Sequence, residues 1–232
     1  MNTKKTKIHG LDYHDYVIKD GKFIGAFEEM YQNIEDPWSH GDATAVQYDL
    51  VLLLIKRNNI CSNGGRILDI GCGKGAFTSR IKGMLDQCSV TGIDIAPTAI
   101  RHARNRYGSI GINFLALDIQ QDYKKITGKF NLIIMSQILW YVLPSIREIT
   151  DYLFSEVLSD DGCILINQAF YKPEKQSYGM DIMTSVEDLI RIVNMPPSEI
   201  LEANRLTNHN AILLFRKMTP TGTAFNNTQS IP

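Results

Sequence analysis

A doubly wound α/β domain, its sheet mostly parallel but ending in an antiparallel strand, is predicted by three observations. Short apolar strands alternate with helix-length segments from Gly65 onward, the pattern that places a parallel sheet between two helical layers. A glycine-rich turn joins the first of these strands to the first of these helices. The last two strand-like runs flank a short polar segment, which signals a hairpin. A length of 232 residues allows one such domain with additions.

The elements follow in order. Residues 1–42 are aromatic and charged, with Tyr13, Tyr16, Phe23, Phe27, Tyr31 and Trp38, and are read as a helical N-terminal cap. Residues 43–218 form the main domain. Its first helix runs from Ala43 to Arg57, with Asp42 as N-cap and Val46, Leu50, Leu53 and Leu54 on one apolar stripe. Arg66 to Ile70 is a buried strand, and a helix covers about Gly75 to Leu85. Ser89 to Asp94 is the next strand, and Pro97 opens a helix that reaches Tyr107. Ile112 to Leu117 and Phe130 to Met135 are further strands, and a long helix covers Pro144 to Leu158. The turn Ser159 to Gly162 leads into the strand Cys163 to Ala169. After a helix near Val186 to Asn194, Ile200 to Leu206 and Ala211 to Phe215 flank the turn Thr207 to Asn210. Residues 219–232, rich in Thr, Asn, Gly and Pro, are expected to be a disordered tail.

Composition excludes several functions. Twenty-four Lys and Arg against 25 Asp and Glu leave a net charge of −1, which argues against nucleic acid held by bulk electrostatics. The longest apolar run, Leu50 to Ile55, is far short of the ~18 residues that a membrane span needs. No apolar signal segment follows Lys4, Lys5 and Lys7, so a cytoplasmic protein is expected. Cys61, Cys72, Cys88 and Cys163 lack metal-ligand or disulfide spacing, and no metal is expected.

The segment ILDIGCGKGAFT, Ile67 to Thr78, carries most of the chemistry. Glycine allows a tight turn and lets a ligand approach the backbone at a helix N-terminus. Spacing alone also fits a dinucleotide fingerprint, Gly71-x-Gly73-x-x-Ala76. Asp69 before the glycines, the third glycine at Gly75 and the antiparallel hairpin favour S-adenosylmethionine over NAD. Asp94, ending the second strand, is placed to accept from both ribose hydroxyls, as also happens in NAD proteins. Asp118, closing the third strand, is placed to accept from the adenine amino group.

On these residues the chain resembles the class I S-adenosylmethionine-dependent methyltransferases, over about Arg66 to Phe215. The D-x-G-x-G-x-G match at Asp69 to Gly75 and the segment GIDIAPTAI, Gly92 to Ile100, carry the likeness. The resemblance implies a seven-stranded sheet with its last strand antiparallel. It also implies that Gly71 and Gly73 approach the methionine part and that Asp69 supports the loop, with Gly75 completing it. Asp94 would hold the ribose and Asp118 with Ile119 the adenine; Ile95 and Ser136 are counted with the cofactor-binding residues, and Ser136 also falls with Gln137, Trp140 and Tyr141 near the transferred methyl. Ala96 stands where many members have Ser or Thr, which weakens the cap of the following helix. Within the family, SQILWYVL (Ser136 to Leu143) and DPW (Asp36 to Trp38) look like the nodulation N-methyltransferase type and the methyltransferases of surface-polysaccharide clusters. Many nodulation-type members have Glu where this chain has Gln137.

Methyl transfer from a sulfonium is an in-line displacement that needs alignment and a dry site more than a metal. Hydroxyl acceptors need a base, and histidine suits neutral pH. His14 and His40 in the cap, with Gln137 and Tyr141 beyond the fourth strand, are therefore the candidate catalytic residues, and Trp140 lies among them as wall or core. The expected function is methylation of an N or O atom of a small molecule, with a sugar or surface-polysaccharide precursor as one candidate. RNA methylation, an NAD oxidoreductase and a non-catalytic S-adenosylmethionine-binding protein remain the alternatives. The cap is expected to matter more for turnover than for cofactor binding, because the glycine loop can assemble without it.

Overall fold

The computed structural model describes residues 12–38, 46–171, 178–204 and 208–217. The strands are β1 (Ile18–Lys19), β2 (Lys22–Phe23), β3 (Gly65–Ile70), β4 (Cys88–Asp94), β5 (Ile112–Ala116), β6 (Phe130–Ser136), β7 (Leu158–Tyr171), β8 (Glu199–Asn204) and β9 (Asn208–Arg216). The helices are α1 (His14–Val17), α2 (Phe27–Asn33), α3 (Val46–Arg57), α4 (Ala76–Met84), α5 (Pro97–Tyr107), α6 (Ile119–Asp122), α7 (Ile146–Tyr152) and α8 (Val186–Val193). Seven strands form one sheet in the order β5-β4-β3-β6-β7-β9-β8, in which β9 alone runs against its neighbours. The sequence-based fold class is the observed one. Strand order reverses between β3 and β6, so the ends of β3, β4 and β6 open on one crevice, the usual ligand position in such sheets.

Both faces of the sheet are covered. Leu68, Ile70, Ile133 and Met135 point into a core shared with α7 and α8, and Ile67, Val90, Leu132 and Ile134 into one shared with α3, α4 and α5. That two-sided burial is why β6 reads as an unbroken apolar run. Helix α8 starts in a capping box, Ser185 accepting from the Asp188 amide while Asp188 accepts from the Ser185 amide.

Four details depart from the sequence expectations. On α3 the buried face is Tyr48, Val51, Leu54 and Ile55, while Val46 and Leu53 are exposed. The run VLLLI is apolar on nearly every side, so periodicity could not choose the face that the sheet selects. The turn Ser159 to Gly162 is a bulge inside β7, where pairing shifts from Phe130↔Leu158 to Leu132↔Cys163. The helix over 144–158 opens as a 3-10 turn at Leu143–Ser145 and widens into a π turn at Leu153–Val157. Asn208, His209 and Asn210 belong to β9 instead of a turn. Asn210 pairs with Ala169 on one side and Ala203 on the other.

The tail 219–232, the Asp42 cap and His40 lie outside the described residues. Cap residues 12–38 do lie on the sheet's open end, and Tyr16, Val17, Met30 and Tyr31 share a small core with Ala96 and Ala99 of the α5 entry.

Candidate active site

A cavity of about 1520 Å³ opens at the C-terminal ends of β3, β4 and β6, beneath the cap. That exceeds the ~300–1,000 Å³ of a usual small-molecule pocket, so two ligands fit side by side. The glycine loop forms its floor. After β3, the amides of Gly71 and Cys72 donate to the Ile93 carbonyl at 2.8 and 2.9 Å, turning the chain over β4. Gly75 has φ +79°, and a side chain there would strike the Phe114 ring at 2.7 Å and Ala103 at 3.1 Å. Gly71 has φ +77°, and its missing Cβ would sit 2.2 Å from Ile138. Glycine is thus required at both positions by backbone conformation and by close approach.

Two buried carboxylates brace this loop. Asp69 lies beneath it and accepts from Thr78 Oγ1 at 2.6 Å. Burial pushes its carboxyl up to about 7, the Thr78 bond opposing and the Asp94 charge adding to the rise. Asp94 accepts from Gly73 N at Oδ2 and from Ala96 N at Oδ1, both at 2.9 Å. Burial raises its carboxyl too, against the pull of those two amides. Each oxygen keeps a lone pair, and the residue lines the cavity. Asp118 caps α6 through the Gln120 amide at 2.9 Å and lines the cavity beside Ile95 and Ile119. Asp69, Gly71, Gly73, Asp94, Ile95, Asp118, Ile119 and Ser136 therefore meet at one cavity, and Gly75 turns the chain behind them.

The cap touches the same loop. Tyr31 is buried with its hydroxyl 2.9 Å from where a Gly73 side chain would begin, and it accepts from Trp38 Nε1 at 2.8 Å. Lys74 Nζ donates to the Glu35 carbonyl. Glu28 of α2 accepts from Thr98 N at 2.9 Å and from Thr98 Oγ1 at 2.6 Å. Ala96 cannot cap α5, and a carboxylate from 70 residues upstream takes over that task at its first turn. The cap therefore touches the glycine-loop side of the cavity as well as its aromatic side.

The opposite wall is aromatic. Tyr141 stands between Phe27 at 5.1 Å, Trp38 at 6.0 Å and Phe23 at 6.3 Å, and Phe23 stacks on Tyr178 at 5.6 Å. Burial pushes the Tyr141 hydroxyl well above its ordinary range, with Tyr13 and Tyr171 adding to it, so it stays protonated. Trp140 is mostly core, its Nε1 donating to the Ala169 carbonyl at 2.9 Å.

Of the other candidates, Gln137 is at the cavity but its side chain is committed elsewhere. Its Oε1 accepts from Ala169 N at 3.0 Å, and its Nε2 donates to Asn210 Oδ1 at 3.0 Å and Asn167 Oδ1 at 3.3 Å. An acid/base role there is replaced by a structural one. His14 sits on the cavity rim, exposed, with Nδ1 3.0 Å from Asp12 Oδ1. His102 is exposed on α5 and, like His14, lines the cavity. His209 lies in β9 with Nε2 3.1 Å from Glu202. Sequence reasoning missed Glu28, Asn167 and Asn210. Asn167 carried a signal: it is a polar residue inside the apolar run CILINQAF, and it is fully buried. Among the described residues no cluster of three or more His, Cys, Asp or Glu could hold a metal, and no helix is long and apolar enough to cross a membrane.

A glycine loop between β3 and α4, acidic strand ends and a reversed last strand define a class I methyltransferase fold. The methyltransferase-domain family matches residues 61–219, well over half of the chain, and the chain belongs to that family. Nodulation protein S of Bradyrhizobium diazoefficiens is 27% identical over 110 residues, covering 47% of this chain and 50% of that protein. The malonyl-[acyl-carrier protein] O-methyltransferase of Acetivibrio thermocellus is 37% identical over 68 residues, covering 29% and 23%. These matches thus span half or less of the curated relatives' own length. Among solved structures, the N-methyltransferase NodS of Bradyrhizobium japonicum WM9, in complex with S-adenosylhomocysteine, superposes with a TM-score of 0.61 at 21% identity, over 82% of this chain and 96% of that one. A protein of echinomycin biosynthesis that converts a disulfide into a thioacetal superposes at 0.64 and 18% identity, over 84% and 93%. The cofactor that family membership carries is S-adenosylmethionine. The residues present fit it: a loop whose glycines leave room for close approach, and the carboxylates Asp69, Asp94 and Asp118 at or beside the ends of β3, β4 and β5, all lining the cavity.

Proposed function

We propose that this chain transfers a methyl group from S-adenosylmethionine to an N or O atom of a small-molecule acceptor. The observation that carries the reading is the division of one large cavity into a glycine-and-carboxylate side and an aromatic side to which the cap contributes Phe27 and Trp38. Asp94 and Asp118 would orient the adenosine, and the glycine loop, bare of side chains at Gly71 and Gly73, would let the rest lie close against its backbone. The cofactor supplies a sulfonium-bound methyl group already activated for displacement. Tyr141, Trp38 and Phe27 would exclude water and hold the acceptor in line, which is most of what such a displacement needs. His14, on the rim beside Asp12, is the described residue best placed to take a proton from a hydroxyl or ammonium acceptor. His40 stays a second candidate on sequence grounds.

A small acceptor is favoured over RNA because the cavity is covered by cap residues and the chain has no net positive charge. Amino sugars and other precursors of surface polysaccharides are the acceptors to try first, since the likeness to nodulation-type enzymes points there. The test is incubation of the full chain with methyl-labelled S-adenosylmethionine and a panel of amino and hydroxyl sugars, reading label transfer by mass. Transfer to structured RNA but to no small molecule would replace this reading. Tight S-adenosylhomocysteine binding with no transfer to any acceptor would favour the non-catalytic alternative.

A further inference from the structure

A run of amide side chains, the half-buried Gln137 and the buried Asn167 and Asn210, links the end of β6 to β7 and β9, and its hydrogen-bond polarity is fixed at one end. The Ala169 backbone N–H can only donate, so the Gln137 oxygen that meets it, at 3.0 Å, must be the carbonyl oxygen. The Gln137 nitrogen then faces Asn167 Oδ1 and Asn210 Oδ1 and donates to both. Asn210 Nδ2 donates to the same Asn167 oxygen at 2.9 Å. Asn167 is thereby held with its nitrogen toward Ser136, and Nδ2 donates to Ser136 Oγ at 2.9 Å. Ser136 is left as the acceptor in that bond. Among the described residues no acceptor takes its own hydroxyl hydrogen, and Ser136 lines the cavity.

The strand order says what lies there. Resting on the cofactor reading above, adenine lies at the β5 end by Asp118 and ribose at the β4 end by Asp94. The amino-acid end of the cofactor then falls beyond β3 and β6, three strand spacings or about 14 Å from β5. Ser136 is the last residue of β6, the strand that pairs with β3 just before Gly71. That amino-acid end carries both an ammonium and a carboxylate; Ser136 keeps its hydrogen free for an acceptor, and the carboxylate is the group that can take it. We propose that Ser136 donates to the cofactor's carboxylate, and that Gln137 is a positioning residue that sets this polarity through Asn167.

The consequence for Gln137→Glu follows from the same accounting. Glutamate still accepts from Ala169 N, but its second oxygen then meets Asn167 Oδ1 and Asn210 Oδ1, so both amides must turn over. The turned Asn167 offers Ser136 an oxygen, the serine hydrogen swings inward, and a lone pair faces the carboxylate.

The experiment is calorimetry on the full chain with S-adenosylhomocysteine and with 5′-methylthioadenosine, which lacks the amino-acid part. The variants are Ser136→Ala, Gln137→Glu and the two combined, with melting temperatures recorded for each. Ser136→Ala should weaken S-adenosylhomocysteine at least about tenfold and leave methylthioadenosine within about twofold. Gln137→Glu should weaken S-adenosylhomocysteine by a similar factor or more. Most of that effect should vanish in the Ser136→Ala background. Unchanged affinity in Ser136→Ala, or equal losses for both ligands, overturns the carboxylate contact. A Gln137→Glu effect of the same size with and without the serine hydroxyl overturns the relay, because the new charge would then act directly. Failure of the unaltered chain to bind S-adenosylhomocysteine at all overturns the cofactor reading, and this inference falls with it.

Discussion

On its β4–β5 side the cavity is lined by backbone amides and by carboxylates that the chain supplies between Asp69 and Asp118. On its β6–β9 side the lining comes from Phe27, Trp38, Tyr141, Ala169 and Tyr171, drawn from segments far apart in the sequence. The first side is local: a strand end, a turn and a helix start place each group, and the glycines leave little freedom. The second is held by contacts between distant segments, with Gln137 at φ +59° bridging β6 to β7 and β9. A binding mode common to a family can be encoded in a short motif. An acceptor site that must differ from member to member is better built from parts that change independently.

The sharpest test of that division is electrostatic. Asp69 belongs to the local side, and its carboxyl is raised to about 7 by burial, against 3.8 when exposed. A folded state that holds its proton more tightly than the unfolded one loses stability as pH rises between those values. Unfolding by urea should show stability falling between about pH 4 and 7, by up to ~1.4 kcal/mol per pH unit. Asp69→Asn should flatten that slope, and an unchanged slope would assign it to another group.

Next in size is Asp94→Ala. It leaves the Gly73 and Ala96 amides without their partner and removes the acceptor proposed for two ribose hydroxyls. S-adenosylhomocysteine affinity should fall about ten- to a hundredfold, with a lower melting temperature. If affinity holds while stability drops, Asp94 serves the loop and not the ligand.

Glu28 probes the seam between the two sides. Glu28→Ala should cost ~1–2 kcal/mol, the value of a helix cap with a second hydrogen bond, and Glu28→Gln should recover about half of that. Because Glu28 ties the cap to α5, cofactor affinity should fall along with stability. Calorimetry that finds affinity untouched would restore the cap as a lid for the acceptor alone.

The smallest effect is expected at His14. An exposed rim histidine should lower turnover less than tenfold when changed to alanine. A loss of ~10²–10⁴, the usual contribution of a general base, would make it the base outright.

The cofactor side was legible because its signals are short-range. The Asp69 to Gly75 motif, Asp94 and Asp118 could each be located by counting from a strand end, and alternating strands and helices gave the sheet. The aromatic residues of the cap were visible too, though not which of them face Tyr141. The partners of Gln137 were not legible. Asn167 and Ala169 meet it because β6 pairs with β7, and Asn210 because β9 inserts between β7 and β8; no spacing along the chain encodes either. The Glu28–Thr98 link escaped for the same reason. The exposed faces of Val46 and Leu53 on α3 show the other limit, where apolar residues on every side leave the choice of face to the neighbours.

The position of β9 also sets an order of assembly during synthesis. Asn210 is translated 140 residues after Ile70, which at 5–20 residues per second is a delay of roughly 7–28 s. The β3–β5 half can settle while the ribosome is still working, yet β8 has no place in the sheet until β9 arrives. A product released early would hold the glycine loop with no Asn210 behind Gln137. The hydrogen bonds behind Ser136 are thus completed only once β9 has been made, and a chain cut short of Asn210 would lack them.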